Sequence, residues 1–144
     1  MNIKIKKLVE DAIIPKYQTV GSAGFDFHAV EDVTVFPKET RLVSTGLAFE
    51  IPEGYELQVR PRSGMSLKTK IRISNAPGTL DSDYRGVVSI IVDNISSHGS
   101  LPYEIKKGDR IAQGVICKVN QAVFVEGELS ETERGEGGFG STNK

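Results

Sequence analysis

Apolar residues in this chain recur at every second position, in runs too short for helices and separated by turn-forming residues. Ile3 and Ile5, Val33 and Val35, Tyr55, Leu57 and Val59, and Ile71 and Ile73 each alternate with polar neighbours. That period turns one face of a segment toward a core and the other toward water, as in a half-buried β-strand. Residues 40–51 read as strand broken at Gly46, with Pro52-Glu53-Gly54 as the turn that follows. The nearly continuous apolar run 87–92 predicts a strand buried on both faces or nearly so. Runs 111–119 and 122–125 predict two more strands. Turn signals fall between the runs at Ala76-Pro77-Gly78, Ser97-His98-Gly99-Ser100 and Lys107-Gly108-Asp109. Many short strands at such spacing predict an all-β sandwich or barrel. Only residues 63–70 read as helix, with Ser63 as the expected N-cap.

The chain has 144 residues, enough for one domain with its own core, and no internal repeat or linker divides it. Apolar residues nearly vanish after Gly127. The expected organisation is therefore a β domain over residues 1–126 and a flexible C-terminal arm over 127–144.

Charge and cysteine content exclude several classes of function. Lys plus Arg number 18 and Asp plus Glu 19, for a net charge of -1. A protein held to nucleic acid by its overall field would be more basic, so no direct nucleic-acid binding is expected. Any polyanion site must be a local group of cations. The single cysteine, Cys117, forms no intramolecular disulfide and no multi-cysteine zinc site; its apolar surroundings predict a buried, inert thiol. The N-terminus lacks the apolar block of a signal peptide, and no stretch of about 20 apolar residues is present. The expected setting is soluble, reducing and cytoplasmic, without a membrane. His28 and His98 have no partners at catalytic spacing and are expected at the surface.

Five segments carry chemistry-bearing residues. In Ser22-Ala23-Gly24-Phe25-Asp26-Phe27, Asp26 lies between two aromatics and would need an Arg or several N–H donors if buried. In Arg60-Pro61-Arg62-Ser63-Gly64, a strand delivers Arg62 and Ser63 to the start of the short helix, where a guanidinium, a hydroxyl and free amides can hold an anion. The segment 75–86 reads as a hairpin between two strands; Asp81 and Asp83 would face the same way if extended, and a carboxylate near phosphate could deprotonate water or hold a metal. In Gly108-Asp109-Arg110-Ile111-Ala112-Gln113, the Gln113 amide sits in an apolar pattern and needs partners. The arm holds Gly135-x-Gly137-x-x-Gly140, but no strand precedes it and no helix can follow it, so it is not a dinucleotide fingerprint. Its glycines suit close backbone approach to phosphate oxygens, with Arg134, Ser141 and Thr142 as further donors and Phe139 able to stack on a planar ring.

Together and in this order, the five segments resemble the five motifs of the trimeric dUTP nucleotidohydrolases (dUTPases): Ala-Gly-Phe-Asp-Phe at 23–27, Pro-Arg-Ser-Gly-Met-Ser-Leu-Lys at 61–68, Asn-Ala-Pro-Gly-Thr-Leu-Asp-Ser-Asp-Tyr-Arg-Gly at 75–86, Gly-Asp-Arg-Ile-Ala-Gln at 108–113, and Arg-Gly-Glu-Gly-Gly-Phe-Gly-Ser-Thr at 134–142. The resemblance implies a distorted β-barrel or jelly-roll subunit of β-clip type, and a homotrimer whose active sites lie between subunits and are closed by the arm. It implies hydrolysis of dUTP to dUMP and pyrophosphate with Mg²⁺ held by substrate phosphates and waters rather than by direct protein ligands. Such an activity would limit uracil incorporation into DNA and supply dUMP for thymidylate synthesis. Carried over residue by residue, Asp81 is the general base on the attacking water, and Gln113 holds the water or phosphates. Arg62, Ser63 and Gly64 bind phosphates. Asn75 and the backbone at Gly78 and Leu80 read the uracil edge, and Tyr84 packs under the deoxyribose. Arg134, Ser141 and Thr142 close over the γ-phosphate beside Gly140, Phe139 stacks on uracil, and Asp26 positions a neighbouring Arg. The sequence departs from the pattern at Lys70, Val87 and Gly114, which puts local packing in question. Two other readings are a dCTP deaminase-type enzyme on the same fold and a non-catalytic nucleotide-sensing module.

Overall fold

The computed structural model describes residues 1–138. Phe139, Gly140, Ser141 and Thr142 lie outside the described residues. The described chain forms strands β1 (Lys4–Lys7), β2 (Phe25–His28), β3 (Val33–Val35), β4 (Thr40–Ser44), β5 (Leu47–Glu50) and β6 (Tyr55–Arg60), helix α1 (Ser63–Lys68), then β7 (Ile71–Ile73), β8 (Gly78–Leu80), β9 (Ser89–Asn94), β10 (Tyr103–Ile105) and β11 (Arg110–Lys118). The pairings are antiparallel. They make four sheets, ordered β1-β5, β10-β3, β2-β11-β6-β8 and β4-β9-β7, and these sheets do not join into one closed ring. The all-β expectation holds, with one short helix, but the strands form separate sheets and not a closed barrel. Among the described residues no helix is long and apolar enough to cross a membrane.

The alternating pattern sets which side chains turn inward. Val33 and Val35 of β3, Leu57 and Val59 of β6 and Ile71 and Ile73 of β7 are all buried. The break at Gly46 is real: its φ is 64°, and the carbonyl before β5 turns back to accept from Leu8 N–H at 2.8 Å. A left-handed residue there separates β4 from β5 at the least steric cost. The buried polar residues are also satisfied. Asn94, 2% exposed, donates from Nδ2 to the Val35 carbonyl at 2.9 Å, and its Oδ1 accepts from Ser96 N–H at 3.0 Å. Thr45 donates from Oγ1 to the Val88 carbonyl at 2.7 Å. Each bond removes the cost of a buried unpaired group.

Four sequence expectations need correction. The run 87–92 is not buried on both faces: β9 begins at Ser89 and alternates strictly between half-buried and buried, with Val87 exposed. One face of β9 (Ile90, Val92 and Asn94) is buried, and the other (Ser89, Ile91 and Asp93) is half-buried. Residues 122–125 form no strand. Val123, Phe124 and Val125 follow the end of β11 and are 85–96% exposed. Ser63 is not the cap but the first helical residue; Arg62 occupies the N-cap in extended geometry, with no side-chain cap bond. Residues 75–86 are not a simple hairpin. β7 and β9 do pair, but β8 leaves their sheet to pair with β6, so the loop bridges two sheets.

Aromatic packing around β2 accounts for one departure from the motif pattern. The rings of Phe25, Phe27 and Phe49 interlock, with Phe25–Phe27 centroids 5.5 Å apart and Phe27–Phe49 5.9 Å apart, both edge-to-face. Such pairs contribute about 0.5–1.5 kcal/mol each beyond their burial. A Cβ at position 114 would lie 2.5 Å from Phe25 Cε2 and 2.9 Å from Phe27 Cε2. Gly114 is therefore the space that the two rings occupy on β11. Gly114→Ala should destabilise the fold by about 1–3 kcal/mol through overpacking, read as a lower urea midpoint with an unchanged m-value.

Candidate active site

The site residues fall into two groups at one end of the β2-β11-β6-β8 sheet. In the ladder Gln113 of β11 lies opposite Arg60 of β6, and Val59 opposite Gly78 of β8. Gln113 and Gly78 are thus two strands apart, roughly 10 Å at sheet spacing.

The first group is a charge clamp. Asp26 on β2 accepts from Arg62 Nε at 2.8 Å through one carboxylate oxygen and from Arg110 Nη1 at 3.3 Å through the other. Arg62 Nη1 also donates to the Arg110 carbonyl at 3.1 Å. A β-bulge in the β2–β11 pairing, between Arg110 and Ala112, sets Asp26 opposite Gln113 while Arg110 pairs with His28. The Asp26 side chain is 15% exposed and Arg62 24%, so this pair is less screened than a surface ion pair. With Nε and Nη1 engaged, the fork of Arg62 is held in one orientation, and Nη2 remains as its unengaged end among the described residues. Ser63 and Gly64 follow at the exposed start of α1, where the first-turn amides have no helical acceptors. Gln113 donates from Nε2 to the Pro61 carbonyl at 2.9 Å, so the amide that interrupts the apolar pattern holds the turn between β6 and α1. Its Oε1 would be 2.9 Å from a Cβ at Gly24, which makes that glycine the seat of the amide.

The second group lines a cleft of about 190 Å³ whose wall includes Asn75, Gly78, Leu80, Asp81, Tyr84 and Ile90. The Asn75 amide rests on Gly78, where a Cβ would approach Nδ2 to 3.1 Å. Asp81 is exposed at the end of β8. Asp81 and Asp83 do not share an extended face: Ser82 and Asp83 turn, and Tyr84 N–H donates to the Asp81 carbonyl at 3.2 Å. Tyr84 donates its phenol proton to the Val87 carbonyl at 3.1 Å. Arg85 Nη1 donates to the carbonyls of Ser82 and Tyr84 at 2.6 and 3.0 Å, bracing the turn. The cleft is not lined by Arg62, Ser63, Gly64 or Gln113, so one subunit brings the expected residues together as two sets. Arg134 belongs to neither set; its Nε donates to the Gly137 carbonyl at 2.8 Å, within its own turn. Among the described residues no group of three or more His, Cys, Asp or Glu could hold a metal ion.

Arg110 was given no role by sequence reasoning, although it stands inside the fourth segment between Asp109 and Ile111. Only the fold reveals that it shares a carboxylate with Arg62. His28 was expected at the surface and is instead half-buried, with Nδ1 buried and lacking a hydrogen-bond partner. Burial lowers its pKa from the ordinary 6.5; the Asp26 carboxylate opposes that shift, while the Arg110 and Arg62 guanidiniums add to it. Cys117 is half-buried rather than buried, with Arg60 Nη2 3.6 Å from Sγ.

Because the folded imidazole resists protonation, the unfolded chain takes up its proton first as pH falls. The contribution of neutral His28 to stability is present above pH 6.5 and is lost as pH drops from there toward its lower folded pKa. His28→Gln should flatten that part of the stability–pH profile, measured by urea unfolding between pH 5 and pH 8 as about the useful range.

The comparisons agree with one another. A family model described as dUTPase matches residues 10–143. The chain is 56% identical over 145 residues to the deoxyuridine 5'-triphosphate nucleotidohydrolase of Nautilia profundicola, covering 100% of both chains. It is 52% identical over 143 residues to that of Helicobacter pylori strain P12, covering 99% of this chain and 97% of the relative. Among solved structures, the dUTPase of Staphylococcus bacteriophage 80alpha with dUPNHPP superposes with a TM-score of 0.86 at 31% identity, over 99% of each chain. A mutant dUTPase from phage phi11 of S. aureus, described for the coordination of a structural Mg(II) ion, superposes with a TM-score of 0.84 at 28% identity, over 92% of this chain and 100% of the other.

Proposed function

This chain belongs to the dUTPase family and is a dUTP nucleotidohydrolase; we propose that it works by in-line attack of water on the α-phosphorus of dUTP, with Asp81 as general base. The observation that carries this reading is the cleft in which Asp81 stands exposed beside Asn75, Gly78, Leu80 and Tyr84. An exposed carboxylate on the rim of a nucleoside-sized cleft can accept a proton from water aimed at a phosphate bound at the mouth. The new P–O bond forms as the bridging oxygen leaves with pyrophosphate, giving dUMP. Phosphoryl transfer of this kind needs alignment and charge neutralisation more than covalent help.

In this reading Asn75 and the backbone at Gly78 and Leu80 pair with the uracil edge. A cytosine would leave those groups unpaired, and a close wall has no room for the thymine methyl. Tyr84 lies against the deoxyribose. Arg62, Ser63 and Gly64 bind phosphate oxygens, with Asp26 positioning Arg62, and Gln113 orients the water or phosphates. The cleft of one subunit is not lined by Arg62, Ser63, Gly64 or Gln113, which suits a complete site formed where subunits of a homotrimer meet. The arm then closes it, with Arg134, Ser141 and Thr142 on the γ-phosphate beside Gly140 and Phe139 on uracil. Mg²⁺ favours phosphate oxygens and retained waters over an all-protein cage. When bound it would neutralise charge on the triphosphate. A cytoplasmic setting suits a chain with one half-buried thiol.

Incubation with dUTP, dCTP, dTTP and UTP plus Mg²⁺ tests the reading: dUMP and pyrophosphate should form from dUTP, and ammonia release from dCTP would overturn it in favour of deamination. Asp81→Asn should keep dUTP binding while turnover falls by about 10²–10⁴-fold, seen by calorimetry and product analysis on the same preparation. A chain ending at Ser130 should remain oligomeric by light scattering and lose turnover. Full activity in that chain would show that the arm takes no part in the site.

A further inference from the structure

The turn that carries Asp81 contains a glycine whose role is steric. A Cβ at position 86 would collide with the Tyr84 side chain, meeting Oη and lying 2.5 Å from Cζ and 3.0 Å from Cε2. The backbone at Gly86 is outside the positive-φ region, so an alanine is compatible with the chain itself. What it would displace is one aromatic ring. Tyr84 is 46% exposed, so its ring is free to move outward. In the native chain the ring lies back over Gly86 with its hydroxyl on the Val87 carbonyl at 3.1 Å, in the same turn whose first carbonyl, that of Asp81, accepts from Tyr84 N–H.

We propose that Gly86 is a specificity-determining positioning residue: by carrying no side chain it lets the Tyr84 ring lie back onto the Val87 carbonyl, and that posture fixes the width of the cleft at the sugar. The proposal rests on the reading of Tyr84 as the surface beneath the deoxyribose. A methyl group at 86 cannot share the space of the phenol, so the ring swings away and its bond to Val87 breaks. The volume it leaves lies where a ribose would need room for its 2′-hydroxyl. Gly86 touches neither substrate nor water and acts only through the ring.

The test is kcat/KM for dUTP and for UTP, with Mg²⁺, in the full-length native chain, Gly86→Ala, Tyr84→Phe and Tyr84→Ala. Gly86→Ala should lower the dUTP/UTP preference by about tenfold or more, with the loss on dUTP falling mainly in KM rather than kcat. Tyr84→Phe, which removes the bond to Val87 and adds no bulk, should lower the preference in the same direction by a smaller factor. A native preference in Gly86→Ala, together with a reduced one in Tyr84→Ala, overturns the proposal and leaves the reading of Tyr84 intact. A native preference in Tyr84→Ala overturns that reading and the proposal with it. Circular dichroism shows whether Gly86→Ala folds; if it does not, Tyr84→Phe decides, an unchanged preference overturning the proposal.

Discussion

A single carboxylate on β2 organises the cationic half of the candidate site. Asp26 sits almost out of solvent and binds two guanidiniums that come from different places in the sequence, one at the start of α1 and one at the start of β11. Neither arginine could be held so closely to the other without it, since two like charges near one another repel. The net result is one surplus positive charge, fixed in direction and partly screened from water. The Arg110 carbonyl adds a second acceptor for Arg62, so the backbone of β11 and the side chain of β2 both set the angle of the same fork. A neutral His28 is part of this balance. A third cation beside the pair would weaken what Asp26 holds together, and the buried Nδ1 opposes protonation.

Space left by absent side chains does as much as the charges. Gly24 admits the Gln113 amide, Gly78 admits the Asn75 amide, and Gly114 admits the Phe25 and Phe27 rings. None of these three glycines has a positive φ, so their value lies in volume and not in backbone freedom. Interior packing is dense enough that a methyl group at such a point must displace something. The glycine at 114 and the phenylalanines on β2 are therefore one packing unit distributed over two strands.

Much of this architecture is legible in the sequence because a period of two leaves little choice of face. The pairs Val33/Val35, Leu57/Val59 and Ile71/Ile73 turned inward as the alternation requires. The errors have a common origin in tertiary context. Apolar content alone could not tell a strand buried on two sides from β9, whose second face is only half-buried. It also could not tell a strand from the exposed residues 122–125, since pairing depends on a partner that local sequence does not specify. Of the candidate site, Arg62, Asn75, Asp81, Tyr84 and Gln113 were legible as members of contiguous motifs. Arg110 and the seating role of Gly24 were not, because each acts on a residue distant in the chain. The partition of the residues into two sets also had no sequence signal of its own.

The bulge between Arg110 and Ala112 has a consequence for how such a chain can change over generations. β11 is nine residues long and is paired on both sides, to β2 and to β6. Its extra residue sets the phase between Arg110 and Gln113. Losing or gaining one residue within this strand would send alternate side chains to the opposite face and separate the clamp from the amide at a stroke. Substitutions can be sampled there one at a time, but changes of length cannot. The turn around Ser97-His98-Gly99-Ser100, exposed and bound mostly to itself, carries no such phase. Variation in length among related chains should therefore collect in turns of that kind, while the interval from Arg110 to Gln113 keeps its count.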